Sequence, residues 1–243
     1  MTPSASRSTL IALSLLGLAA PGAFAQSSNT VTFSFAPPPI TEVVLPNESA
    51  NQVNFTYLEV DVPRNPITGI GIDYVGRRAG AESFGLSFTL RGLGLTDKES
   101  TTSGGMFGGS IGPEIYLGAN RNTILFAGLS LDVIALTITG PGFEARTTGV
   151  TGGLQLGLQH HFKVSESFTM IPYLVFGTTS SSFTTTSDVT VGSSTFTTTS
   201  DTTSSSTTTT IGFDMTFSDI SIGALANTGG DNDVTMLRFG FKF

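Results

Sequence analysis

The chain has 243 residues, a formal net charge of −7 and neither Cys nor Trp. Charged residues make up 12%, about half the share of an ordinary soluble domain, while 39% hydrophobic residues are too many for a disordered chain. The acidic balance excludes a strongly basic nucleic-acid binder, and zero Cys excludes a disulfide scaffold, thiolate catalysis and Cys-based zinc sites.

Residues 1–25 carry the three parts of a secretory signal: Arg7, the apolar run Leu10–Ala20, and the small-residue site Ala23-Phe24-Ala25. The run is too short to cross a bilayer, which takes about 20 apolar residues. Export by the Sec pathway is expected. Residues 26–51 are less regular. Thr30–Ala36 has strand character, but Pro37–Pro39 follows, and proline does not belong inside a ladder. This stretch is expected to be a lead-in segment.

From residue 52 the chain reads as strands separated by turns. Val53–Val62 is the first and Pro63–Pro66 closes it. Ile67–Val75 is the second, and Gly76–Glu82 is expected to be a connection. In Ser83–Leu95, Phe84, Leu86, Phe88 and Leu90 alternate with Gly85, Ser87, Thr89 and Arg91. Thr96–Gly104 is a polar loop before the fourth strand, Gly105–Leu117. The fifth is Thr123–Thr139, and Gly140–Gly142 reverses the chain into the sixth, Phe143–Phe162. The turn Lys163–Glu166 leads to the seventh strand, Ser167 to about Thr185. Thr207–Phe217, Ile220–Asn227 and Val234–Phe243 are the eighth, ninth and tenth.

Between strands seven and eight, residues 178–210 are nearly all Ser and Thr and contain a repeat. Ser181–Thr190 reads SSFTTTSDVT and Ser194–Thr203 reads STFTTTSDTT. Thr is β-prone, so the segment 178–207 is expected to be a hairpin that prolongs the two strands. Phe183 and Phe196, and Asp188 and Asp201, stand at matching places in its arms. Phe183 and Phe196 are expected to face each other across it.

The longest apolar segment, Ile124–Ile138, is broken by Gly128, Ser130 and Asp132, which argues against a helical span. An exported, charge-poor chain without such a span fits a bilayer crossed by strands, in a closed barrel that pairs its own backbone groups. The last strand supports this. Leu237, Phe239, Phe241 and Phe243 share one face, and Arg238, Gly240 and Lys242 share the other. This ending resembles the C-terminal assembly signal of Gram-negative outer-membrane β-barrels. The resemblance implies an all-β, antiparallel up-and-down transmembrane barrel over 52–243, of about ten strands, with eight or twelve also fitting. It further implies residence in the bacterial outer membrane, contact with its lipid, and help from periplasmic chaperones and the barrel assembly machinery. Residues 26–51 would then lie in the periplasm and the long Ser/Thr hairpin outside the cell.

Charges inside such a barrel follow from the alternation. Asp73, Arg91, Glu114, Asp132, Asp214 and Arg238 are placed in the lumen, with Lys242 and Glu59 added, because Arg or Lys on the lipid face near the midplane costs about 2–4 kcal/mol. They would either pair into a plug or line a narrow cation-preferring passage, with the plug favoured because a small barrel has little free lumen. Tyr57, Tyr74, Tyr116 and Tyr173 are candidates for interface girdles.

Catalytic groups are scarce. Omptin-type outer-membrane proteases place a His with acids on the outer side, and outer-membrane phospholipases and lipid A deacylases use a His near a Ser. Here the only histidines are His160 and His161, beside a short turn. Successive strand residues face opposite ways, so the two cannot clamp one ion or act as a dyad. No catalytic, metal or cofactor site is assigned. The expected role is structural or adhesive, through an unidentified extracellular ligand, with a small porin-like pore as the alternative. For the terminal strand, Phe243→Ser should lower membrane insertion more than Lys242→Ser, measured as folded barrel in the membrane fraction. Equal insertion would remove the assembly role of the aromatic face.

Overall fold

The computed structural model describes residues 46–62, 66–80, 83–99, 101–229 and 232–243, all within one unit, Thr32–Phe243. The signal segment, the lead-in up to residue 45 and Thr30–Ala36 lie outside the described residues. The strands are β1 Ser49–Asp61, β2 Ile67–Ala79, β3 Phe84–Asp97, β4 Thr102–Leu117, β5 Thr123–Gly140 and β6 Phe143–His160. They continue as β7 Phe162–Lys163, β8 Phe168–Val191, β9 Ser194–Phe217, β10 Ile220–Thr228 and β11 Asp233–Lys242.

Each long strand pairs antiparallel with its chain neighbours. β1 also pairs with β11, and β6 with β8, so the sheet closes on itself. β7 continues the β6–β8 register beyond His161, with Phe162 opposite Met170 as Gln159 is opposite Tyr173, so it is the end of the sixth strand and ten strands make the ring. Closure gives every strand two partners, the condition for placing strands in hydrocarbon.

The pleat sorts side chains inside out relative to a soluble domain. Phe84, Leu86, Phe88 and Leu90 of β3 are exposed on the outer wall, while Ser87, Thr89 and Arg91 are buried in the lumen. The outer wall carries an apolar belt all round, for example Ile70, Phe107, Leu129, Leu154, Ile211 and Leu237. Leu237, Phe239, Phe241 and Phe243 lie on this wall.

Three boundaries differ from the sequence reading. β1 begins at Ser49, so Ser49–Asn51 belong to the barrel and not to the lead-in. β2 runs on through Gly76 to Ala79, because Arg77 and Arg78 continue the alternation, one inward and one outward. The Thr96–Gly104 loop is mostly strand. Asp97 shortens it by accepting from Thr101 N at 2.8 Å, Thr101 Oγ1 at 2.5 Å and Thr102 N at 2.9 Å.

The wall is uneven in height. β4, β5 and β6 have 16, 18 and 18 residues and β8 and β9 have 24 each, whereas β10 and β11 have 9 and 10. The β8–β9 ladder runs unbroken from Phe168↔Phe217 to Val191↔Ser194, turning at Gly192–Ser193. A closed ladder of this kind should resist detergent. Unboiled protein should migrate differently from boiled protein in SDS gels, and identical mobility would count against closure.

Candidate functional site

Three ion pairs form the polar heart of the lumen. Arg91 Nε and Nη2 grip Asp132 Oδ1 and Oδ2 at 2.9 and 2.5 Å. Arg238 Nη2 donates to Asp214 Oδ2 at 2.7 Å and to the Tyr173 hydroxyl at 3.0 Å. Arg77 Nε lies 2.9 Å from Glu114 Oε1 and 2.7 Å from Oε2, and Tyr116 donates to Oε2 at 2.9 Å. All six charged groups are buried.

Each pair skips a strand. Asp73, Arg91, Gly108 and Asp132 lie in one cross-strand row over β2, β3, β4 and β5. Asp214, Gly223 and Arg238 form the same kind of row over β9, β10 and β11. In these two rows glycine stands at the strand that is bridged, whereas Arg77 reaches Glu114 past Ser87 and Gly85 of β3. A Cβ on Gly108 would fall on Asp132 Oδ1, and one on Gly223 would fall on Asp214 Oδ1. The missing side chains therefore make these two salt bridges geometrically possible.

Asp73 stands apart from the pairs. Thr56 donates to its Oδ2 at 2.5 Å, and Arg91 is its cross-strand neighbour. Below, Gln52 reaches over Gly240 to donate to Ser221 Oγ at 2.8 Å. Directly above the charged row, Leu93, Met106 and Ile134 form the next row, with Leu58, Val60, Leu95 and Leu136 near it, all buried. Apolar side chains thus cap the ion pairs on the side of the tall strands. An interior cavity beside Ser130, Gln155, Thr179, Thr208 and Asn227 measures about 20 Å³, room for roughly one water.

Arg77 was not singled out on the sequence, and Tyr173 was assigned to a girdle rather than to an ion pair. Arg77 was lost with the early end given to β2. Its signal is the unbroken inward series Asp73, Val75, Arg77, Ala79. Three other readings need correction. Glu59 is exposed on the outer wall, beside Tyr57 and Asp61 at the loop end of β1, where a charge sits near the interface and costs little. Tyr116 and Tyr173 face the lumen, so only Tyr57 and Tyr74 are available to an outer girdle. Phe183 and Phe196 do not face each other. The turn at Gly192–Ser193 sets Phe183 opposite Thr202 and Phe196 opposite Val189.

In the hairpin, Phe183 is buried against Gly149, where a Cβ would fall on its ring. Phe196 is 62% exposed near the tip, in a row with Val189 and Phe143. Thr184 Oγ1 donates to Asp201 Oδ1 at 2.7 Å, and Thr197 Oγ1 donates to Asp188 Oδ1 at 2.6 Å. His160 and His161 sit at the opposite, short-turn end. His160 Nδ1 bonds Thr123 Oγ1 at 2.7 Å, and buried His161 bonds Gln159 at 2.8 Å. Among the described residues no group of three or more His, Cys, Asp or Glu is arranged to hold a metal ion.

No family model and no curated protein matches the chain. Solved structures do. The outer-membrane protease OmpT from Escherichia coli aligns with a TM-score of 0.51 and 9% identity, over 84% of this chain and 100% of that one. The beta domain of the Bordetella autotransporter BrkA aligns at 0.46 and 10%, over 80% and 98%. The translocator domain of the autotransporter NalP from Neisseria meningitidis aligns at 0.44 and 11%, over 80% and 87%. The chain therefore has the fold of the outer-membrane β-barrels. That fold is shared with a protease, so it does not by itself decide whether this chain is an enzyme.

Removing one member of a buried pair strands the other charge, a loss of about 3–5 kcal/mol. Arg238→Met should therefore lower barrel stability by that order, and Arg238→Met with Asp214→Leu should recover most of it. Gly223→Val should destabilise as strongly as Arg238→Met. Urea titration of the refolded barrel reads all three, and an unchanged midpoint for Gly223→Val would show that the bridge can bend around a side chain.

Proposed function

We propose that this protein is a closed barrel of the bacterial outer membrane whose task is to hold the β8–β9 hairpin above the cell surface for contact with another surface. The observation that carries it is the contrast between the two ends of the molecule. The lumen is filled by ion-paired and apolar side chains, while the ladder of β8 and β9 continues far past the top of β10. From Thr178 to Thr210 the only apolar side chains are Phe183, Val189, Val191 and Phe196, so this part is too polar for lipid. Short turns on the side of both barrel ends, and tall strands on the other, fit the outer-membrane convention in which the tall side faces out. On this reading the chain is exported and carried to the assembly machinery by periplasmic chaperones. It is not an enzyme, and its lumen charges are structural.

Electrical recording separates display from conduction. The refolded protein should give no stepwise conductance in a planar bilayer, and steady cation-selective steps would overturn the closed reading in favour of a small pore. Replacing Ser181–Thr203 with a short Gly-containing turn should leave insertion and the boiling-dependent mobility shift intact and abolish surface binding. A shortened protein that fails to insert would make the hairpin part of the barrel's own stability instead.

A further inference from the structure

The outer edge of β9 is open. β10 pairs with β9 only as far as Thr228↔Thr209, and Gly229 comes close to Thr207. From Ser194 to Ser206 the described residues supply β9 with one partner, β8. Over these thirteen residues every second one turns its N–H and C=O outward, along about 43 Å at roughly 3.3 Å per residue. Exposed edges are ordinarily blunted by Lys, Pro or a bulge. This one has no Lys, Arg or Pro and a single charge, Asp201.

The hairpin itself shows what such an edge pairs with. Eight of ten residues are identical between Ser181–Thr190 and Ser194–Thr203. β9 is therefore already paired antiparallel with a near-copy of its own sequence. The register makes the pairing pseudo-symmetric: Thr186 lies opposite its equivalent, Thr199. The two Thr-to-Asp hydrogen bonds, Thr184–Asp201 and Thr197–Asp188, exchange with each other about that centre. The sequence is self-complementary in this register. Each Asp meets a Thr hydroxyl, and no carboxylate meets another.

We propose that the open edge of β9 is a homophilic docking strand, which pairs antiparallel about Thr199 with β9 of a second copy on an opposing cell. The proposal rests on the outward display of the hairpin given above. In the register the hairpin uses internally, Thr199 faces Thr199 of the second copy and Asp201 faces its Thr197. The symmetry decides the geometry. A two-fold axis along the membrane normal leaves both β9 strands climbing in the same direction. Antiparallel pairing takes an axis across the strand, which turns one barrel over and sets the two membranes face to face. The edge therefore joins cells and does not make dimers within one membrane.

The test uses the full chain displayed on a bacterial host that lacks it, in two populations of different fluorescence. Displaying cells should form mixed-colour aggregates with each other and leave non-displaying cells out. Because the chain has no Cys, single replacements give a clean cross-link. With Thr199→Cys on both populations, oxidation should give a disulfide dimer at least tenfold above Thr195→Cys, whose two copies would lie about 26 Å apart in this register. Thr199→Pro should abolish aggregation while the barrel keeps its boiling-dependent shift. The two-residue turn points the Thr199 N–H outward, so no bond to β8 is lost. Aggregates that recruit non-displaying cells equally, or equal cross-linking at 195 and 199, would overturn the second copy as partner. A tag in the hairpin tip that antibody reaches on intact cells, without any aggregation, would overturn the proposal and leave the display reading standing. A tip that antibody does not reach would overturn both.

Discussion

A strand in hydrocarbon has no water to satisfy its backbone, so every amide and carbonyl must find another strand. Pairing between neighbours in the chain meets most of that demand, and the one pairing that joins its distant parts, β1 with β11, closes the sheet. Everything else follows from closure. Once the ring is shut, alternate side chains have only two destinations, lipid or lumen. The sequence answers with Phe, Leu and Ile on one side and polar, small or ionised groups on the other.

A ring of ten strands leaves an interior that side chains can fill. How they fill it is set by glycine. The ion pairs reach across one strand, two of them over Gly108 or Gly223. Each bridge ties strands that share no hydrogen bonds, so the lumen acts as a second set of fastenings at right angles to the ladders. The apolar row Leu93, Met106 and Ile134 above them keeps water away and makes each pair dependent on its partner.

Most of this was legible from period-two patterning. Eight of the connections announced themselves by Gly, Pro, Asn or Asp, and β3 and β11 could be assigned face by face, because lipid enforces strict alternation. What was not legible came from places where the pattern carries no such pressure. Gly76 interrupts β2 without ending it, since a ladder needs the backbone alone, and Arg77 went unnoticed behind it. Glu59 violates the outward-apolar rule because it sits where the lipid core ends. The ion-pair partners were invisible as pairs, since sequence order gives no sign that Arg91 passes over β4 to reach Asp132. Phe183 and Phe196 were matched by repeat position. Antiparallel pairing about a turn matches residues equidistant from the turn, and these two are not.

That last point carries the meaning of the repeat. A tandem copy folded back on itself pairs position for position only at the middle of the copies, here Thr186 with Thr199, and elsewhere pairs each position with its mirror. A sequence that does this without strain must be compatible with its own reverse, so Thr occupies the mirror site of Asp in both arms. Compatibility with its own reverse is also the requirement for an identical chain to pair on the far edge. The duplication that built the hairpin thus left β9 with one edge satisfied by its near-copy and the other edge, carrying the same side chains, open above the barrel.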